Sequence, residues 1–129
     1  MNPEYMERMG ASELDEYAKS CGINITRLKD KQSKINAINE RRERTATVRA
    51  LGIDFEIPIK RVHDKRLSDL LNNPNASDED MTHAMVLLLG QEQFDELVSA
   101  CTEDDGTVDV NAMGVAYVRI ISSDNLKNF

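Results

Sequence analysis

Thr45-Ala-Thr-Val-Arg-Ala-Leu-Gly-Ile-Asp-Phe-Glu-Ile-Pro58 decides the fold, because its apolar residues fall at every second position on both sides of a glycine. Ala46, Val48 and Ala50 alternate with Thr47 and Arg49, and Ile53, Phe55, Ile57 and Ile59 alternate with Asp54, Glu56 and Lys60. A period of two sends successive side chains to opposite faces of a strand, so the stretch predicts a β-hairpin with one buried face. Leu51-Gly52 is the expected reversal, since glycine supplies the positive backbone angle of a tight turn, and Pro58 confines the second strand to a sheet edge. A lone hairpin is marginal in water, so helices must cover it.

Those helices follow. Asp64 is placed to cap a segment through Leu67, Leu70 and Leu71, which Asn72-Asn73-Pro74 ends. Ser77 with Asp80 forms a variant capping box, and Asp78, Glu79 and Asp80 set negative charge at the positive end of a helix running to Leu89. Gly90 breaks it, and Phe94, Leu97, Val98 and Cys101 begin a new stripe that the run Glu103-Asp-Asp-Gly106 ends. A last helix starts near Asp109, with Val110, Met113, Tyr117, Ile120 and Ile121 on one side. Val115 and Val118 widen its apolar surface beyond an ordinary stripe, so it is either central or covered by a partner.

Ahead of the hairpin, Ser12 with Asp15 is read as the cap of a helix carrying Leu14, Tyr17, Ala18 and Cys21, closed by Gly22. Ile23, Ile25 and Leu28 form a tucked loop, and Asp30 caps a second helix bearing Ile35, Ala37 and Ile38. The predicted class is therefore α+β, mainly α. An N-terminal helix-loop-helix unit over 1–44 precedes a domain over 45–129, made of one β-hairpin and a bundle of about four helices.

Composition is that of a folded chain. In 129 residues, 40% are hydrophobic and 30% charged, too apolar for wholesale disorder and sized for one domain or a domain with an appendage. No apolar run approaches the roughly 18 residues of a membrane helix, and Glu4, Glu7 and Arg8 stand where a signal peptide would be apolar, which predicts a cytosolic protein with no membrane partner. Residues 1–66 carry 14 basic against 11 acidic side chains, and residues 67–129 carry 2 against 12. That asymmetry implies different surroundings for the two halves, and it allows homo-oligomers paired head to tail.

No chemistry declares itself. Cys21 and Cys101 are far apart with no CxxC, His63 and His83 fall on different predicted elements, and no phosphate-binding glycine motif is present. Setting Gly106 at the sixth position of a calcium loop puts Cys101 first and Ala112 last, neither an oxygen ligand. The expectation is a non-enzyme with no cofactor and no metal.

Two resemblances refine this reading. Leu14-Asp-Glu-Tyr-Ala-Lys-Ser-Cys-Gly-Ile23 with Lys34-Ile-Asn-Ala-Ile38 resembles SAP-like helix-extension-helix modules and the related N-terminal module of the Rho terminator. Gly52-Ile-Asp-Phe-Glu-Ile-Pro58, Met85-Val-Leu-Leu-Leu-Gly-Gln-Glu-Gln-Phe-Asp-Glu-Leu97 and Leu126-Lys-Asn128, in that order, are similar to the tail assembly chaperones of long-tailed phages. The second resemblance implies a protein of the host cytoplasm, absent from the mature virion, that binds the tape-measure protein and keeps it soluble during tail assembly. Other tail proteins and a frameshifted longer form of the chain are further partners it implies.

Met81, Met85, Val86, Leu87, Phe94, Tyr117, Leu126 and Phe129 are the candidate partner-binding residues. Methionine is adaptable enough to accept unlike apolar sequences, and the closing segment offers an aromatic end. The rival reading is nucleic-acid binding through Arg27, Lys29, Lys31, Lys34, Arg41 and Arg42. The interspersed Asp30, Glu40 and Glu43 and the acidic second half disfavour it, and a solvated helix face accounts for the same residues.

Overall fold

The computed structural model describes residues 1–127, a mainly helical α+β chain with one two-stranded antiparallel sheet. It divides into two compact units, Met1–Arg44 and a second beginning at Thr45.

In the first unit, α1 (Pro3–Met6), α2 (Ala11–Ser20) and α3 (Lys31–Glu43) enclose a small core. Met6, Leu14, Ala18, Ile35 and Ile38 are buried, with Met9, Tyr17, Cys21, Ile23 and Ile25 packed around them. The loop between α2 and α3 is thus tucked by Ile23 and Ile25, after Gly22 leaves α2 with φ 78°. Asp30 caps α3 by accepting a hydrogen bond from the Ser33 backbone N–H at 2.6 Å. The start of α2 differs from expectation, because Gly10 is its N-cap, with no side-chain hydrogen bond, and Ser12 lies inside the helix. Asp15 instead pairs with Lys34 of α3 at 2.6 Å, so its carboxylate serves the helix contact rather than a cap. Helix α1 is not among the predicted elements, although Asn2 capping Glu4 N–H followed by Pro3 in the first turn is a recognised start signal.

The second unit begins with the hairpin, β1 (Thr45–Ala50) paired with β2 (Ile53–Pro58) in the register Val48↔Phe55. Leu51 and Gly52 both take positive φ, 51° and 76°, as a two-residue turn of matching twist requires. Alternation appears directly as burial: Ala46, Val48, Ala50, Phe55 and Ile57 face in, while Thr45, Thr47, Arg49, Asp54 and Glu56 face out. Ile59 does not extend the strand. Pro58, with φ −60°, opens α4 (Ile59–Val62), and Ile59 is buried from that helical turn.

The remaining helices are α5 (Lys65–Leu71), α6 (Asp78–Leu89), α7 (Gln91–Ala100), α8 (Val110–Ile121) and α9 (Asp124–Lys127). Helices α8 and α9 cover β1, and α4 and α6 cover β2, which gives the hairpin the support it lacks alone. Local signals set the ends. Asp64 and Asp109 cap α5 and α8, and Ser77 and Asp80 exchange both hydrogen bonds of a capping box at α6. Gly90 closes α6 and opens α7 with φ 80° and ψ 159°, a conformation essentially confined to glycine.

Side-chain amides engage both free edges of the hairpin at one cross-strand pair, Thr47↔Glu56. Gln93 accepts from Glu56 N–H at 2.8 Å and donates to the Glu56 carbonyl at 2.8 Å and the Leu89 carbonyl at 2.7 Å. On the other edge, Asn125 donates to the Thr47 carbonyl at 2.7 Å. An amide satisfying a strand's outward N–H and C=O takes the place that another chain's backbone would need.

Candidate partner-binding groove

Helix α8 contains more apolar surface than its packing consumes. Ala116 and Ile120 face the core and are fully buried. At about 100° per residue, Val115 and Val118 lie on roughly the opposite side, and they are 50% and 65% exposed. Between these faces runs the stripe Val110, Met113, Tyr117 at i, i+3 and i+7, with Val110 75% exposed. Burying one valine is worth about 1.5 kcal/mol or more, so several left in water on one helix make this arc a candidate docking surface.

That stripe forms one wall of an open groove of about 400 Å³. Val110, Met113 and Tyr117 face Met81 near the start of α6, with Val108 extending the wall into the preceding loop and Asp78 at the rim. Gly114 adds no side chain to narrow it, and no atom stands within 4 Å of where its Cβ would be. Along α8 the wall runs from Val110 to Tyr117, two turns or about 10 Å.

Acidic residues are dense in the segments that supply the Val108–Val110 end, and Asp78 lines the groove itself. Asp78, Glu79 and Asp80 form the first turn of α6, and Glu103, Asp104, Asp105 and Asp109 lie in the connection from α7 to α8. That connection is tight, with an antiparallel bridge between Thr102 and Val108, a 2.8 Å bond from Glu103 N–H to the Thr107 carbonyl, and Gly106 at φ 89°. Asp80 and Asp109 are engaged as caps. The Thr107 side chain first, then the Thr107 N–H that Asp105 accepts from at 2.9 Å, lower the Asp105 pKa from the usual carboxylate value. Between Leu67 and Leu126 the chain has one basic residue, Arg119.

Of the expected partner-binding residues, the groove brings together Met81 and Tyr117. Met85, Phe94 and Leu126 are corrected to core positions, at 0%, 8% and 5% exposure. Met85 belongs to the inward face of α6 with Ala84, Leu88 and Leu89, Phe94 shares the buried side of α7 with Leu97, and Leu126 sits in α9, which covers β1. Val86 and Leu87 are half-buried and do not line the groove, and Phe129 lies outside the described residues. Val108, Val110 and Met113 were not among the expected site residues, although the apolar breadth of residues 110–121 was the signal that could have found them.

The basic residues of the first unit are largely occupied. Lys34 holds Asp15, Lys31 donates to the Glu7 carbonyl, and Arg42 donates to the Met1 carbonyl at 3.1 Å. Burial raises the Tyr17 pKa, and the Arg42 charge nearby opposes that rise. The Arg41 guanidinium lies over the Gly22 turn, 3.1 Å from where a Cβ would stand. Arg27 and Lys29 are exposed in the loop ahead of α3. Four of the six proposed phosphate contacts therefore serve the unit's own structure, which weakens the nucleic-acid reading.

The groove is lined by neither histidine nor cysteine. Among the described residues no three His, Cys, Asp or Glu side chains are placed to hold a metal ion, and no helix is long and apolar enough to cross a membrane. A second, more polar cleft of about 360 Å³ at the β2 edge includes Glu56, Arg61, Gly90 and Gln93, with Gln93 and Glu56 engaged in the edge closure already described. Comparison with protein-family models, with curated proteins and with solved structures finds no match for this chain.

Proposed function

We propose that this chain is a non-enzymatic assembly chaperone of the long-tailed-phage kind, which holds an apolar helical segment of the tape-measure protein until tail assembly takes that segment over. The reading joins the resemblance carried by residues 52–58, 85–97 and 126–128 to one structural observation, the uncovered apolar arc of α8 and its groove with Met81. A chaperone of this type needs an apolar receptor on a body charged enough to stay in solution, and a net charge of −7 supplies the second requirement.

Co-expression tests it. The tape-measure protein of the same phage is expected to move from the insoluble to the soluble fraction when this chain accompanies it. Val110→Asp and Val118→Asp should abolish the effect while leaving circular dichroism unchanged, because both positions are open to water. Unchanged solubility of the tape-measure protein across expression levels would remove the reading.

A further inference from the structure

Resting on the reading that the groove docks a partner, we infer that the segment it takes is an amphipathic helix with a basic flank, lysine- or arginine-rich beside its apolar stripe. Two independent features of the fold define that chemistry.

The first is the state of the sheet edges. An extended partner segment binds by adding a strand, which requires outward-facing backbone groups on the sheet. Gln93 occupies both such groups of Glu56, Asn125 occupies the Thr47 carbonyl, and Pro58 contributes no N–H. Strand addition is blocked at the middle of β2 and loses one acceptor on β1, whereas the groove between α6 and α8 has helical walls and a straight span of about 10 Å. That span matches the i, i+3 or i+4, i+7 anchors of one helix lying in it.

The second is charge. Asp78 lines the groove, and Asp109 stands in sequence between Val108 and Val110, which line it too. Glu79, Glu103 and Asp104 are exposed and are not among the capping acids. Arg119 is the single basic residue between Leu67 and Leu126, so the segments that build the groove carry an acidic excess for a partner helix to meet. An acidic flank would be repelled and a basic one attracted, over a range of about 10 Å at ~0.1 M salt.

Three peptides of about 20 residues, sharing one leucine stripe and differing only in lysine, glutamine or glutamate flanks, test this on the full chain by calorimetry. At ~20 mM salt the lysine peptide should bind at least about tenfold tighter than the glutamate peptide, and at ~300 mM the gap should shrink to about threefold or less. Glu79→Lys combined with Asp104→Lys should narrow the gap at low salt, and Val110→Asp should weaken all three peptides. Equal, salt-insensitive binding of the three would overturn the basic-flank inference and leave the groove as an apolar receptor. Binding of none would remove the docking reading along with it. A dimer of the chain that Val110→Asp dissociates would give the groove to a second copy and overturn the inference as well.

Discussion

Replacing Gly90 by alanine puts the sharpest strain on this fold. Gly90 joins α6 to α7 with φ 80° and ψ 159°, where an L side chain collides with its own backbone and the cost is about 1–3 kcal/mol. The added Cβ would also stand 3.0 Å from the Arg61 Nη1 and 3.5 Å from its Cζ. The guanidinium is the far end of a flexible chain and can move, giving up only a 3.5 Å contact with the Leu88 carbonyl, so the backbone term dominates. The expected loss is about 2–3 kcal/mol, or about 10 °C or more in melting temperature for a unit of this size. Gly114→Ala is the matched control, because Gly114 lies within α8 with open space around it, and alanine there should stabilise by about 0.5–1 kcal/mol. Thermal unfolding followed by far-ultraviolet circular dichroism separates the two. If Gly90→Ala melts within about 2 °C of the parent, the backbone at that junction is not held as described and the reasoning fails.

Three further outcomes are expected. Gln93→Leu removes three hydrogen bonds and leaves the Glu56 backbone groups without their amide, so it should cost about 1–3 kcal/mol and give concentration-dependent association by sedimentation; a stable monomer would show that Gln93 does not guard the edge. Cys101 is 4% exposed, and burial first, then Asp109, pushes its thiol pKa up, so a thiol reagent should label half-buried Cys21 well before Cys101 in the native protein, and equal rates would contradict the burial. The Arg66 side chain, bonded to Asp64 at 2.7 and 3.1 Å, is the main cause that lowers the Asp64 pKa to about 2. A depressed carboxylate contributes stability above its unfolded pKa near 4 and loses it as pH falls through about 2. Carbon NMR should therefore find the Asp64 midpoint near 2, rising in Arg66→Ala; a midpoint near 4 in the parent would refute the pairing.

What could be read in the sequence was what neighbours along the chain decide. The Leu51-Gly52 turn, the Ser77 and Asp80 box, the Asp30, Asp64 and Asp109 caps and the Gly90 break each rest on groups within a few residues of one another. Ser12 misled because a cap residue and an early helical residue look alike, and Asp15, the presumed cap partner, is claimed by Lys34 from another helix. The edge closure by Gln93 and Asn125 joins residues 37 and 78 positions apart and has no local signature.

The groove was legible in part. An apolar surface too broad for one buried stripe was visible over 110–121, but which part of it stays uncovered depends on where β1 lies. Met85 and Phe94 read as candidates by residue type and turned inward by tertiary packing. Met81, one turn before Met85, is half-buried and lines the groove.

Hydrogen exchange on the chain alone and in complex with co-expressed tape-measure protein tests the central claim most directly. New protection should appear at the start of α6 and along 108–118 of α8, with the first unit unchanged. Protection confined to Arg27, Lys29 and the start of α3, or an α8 that exchanges equally in both states, would contradict it.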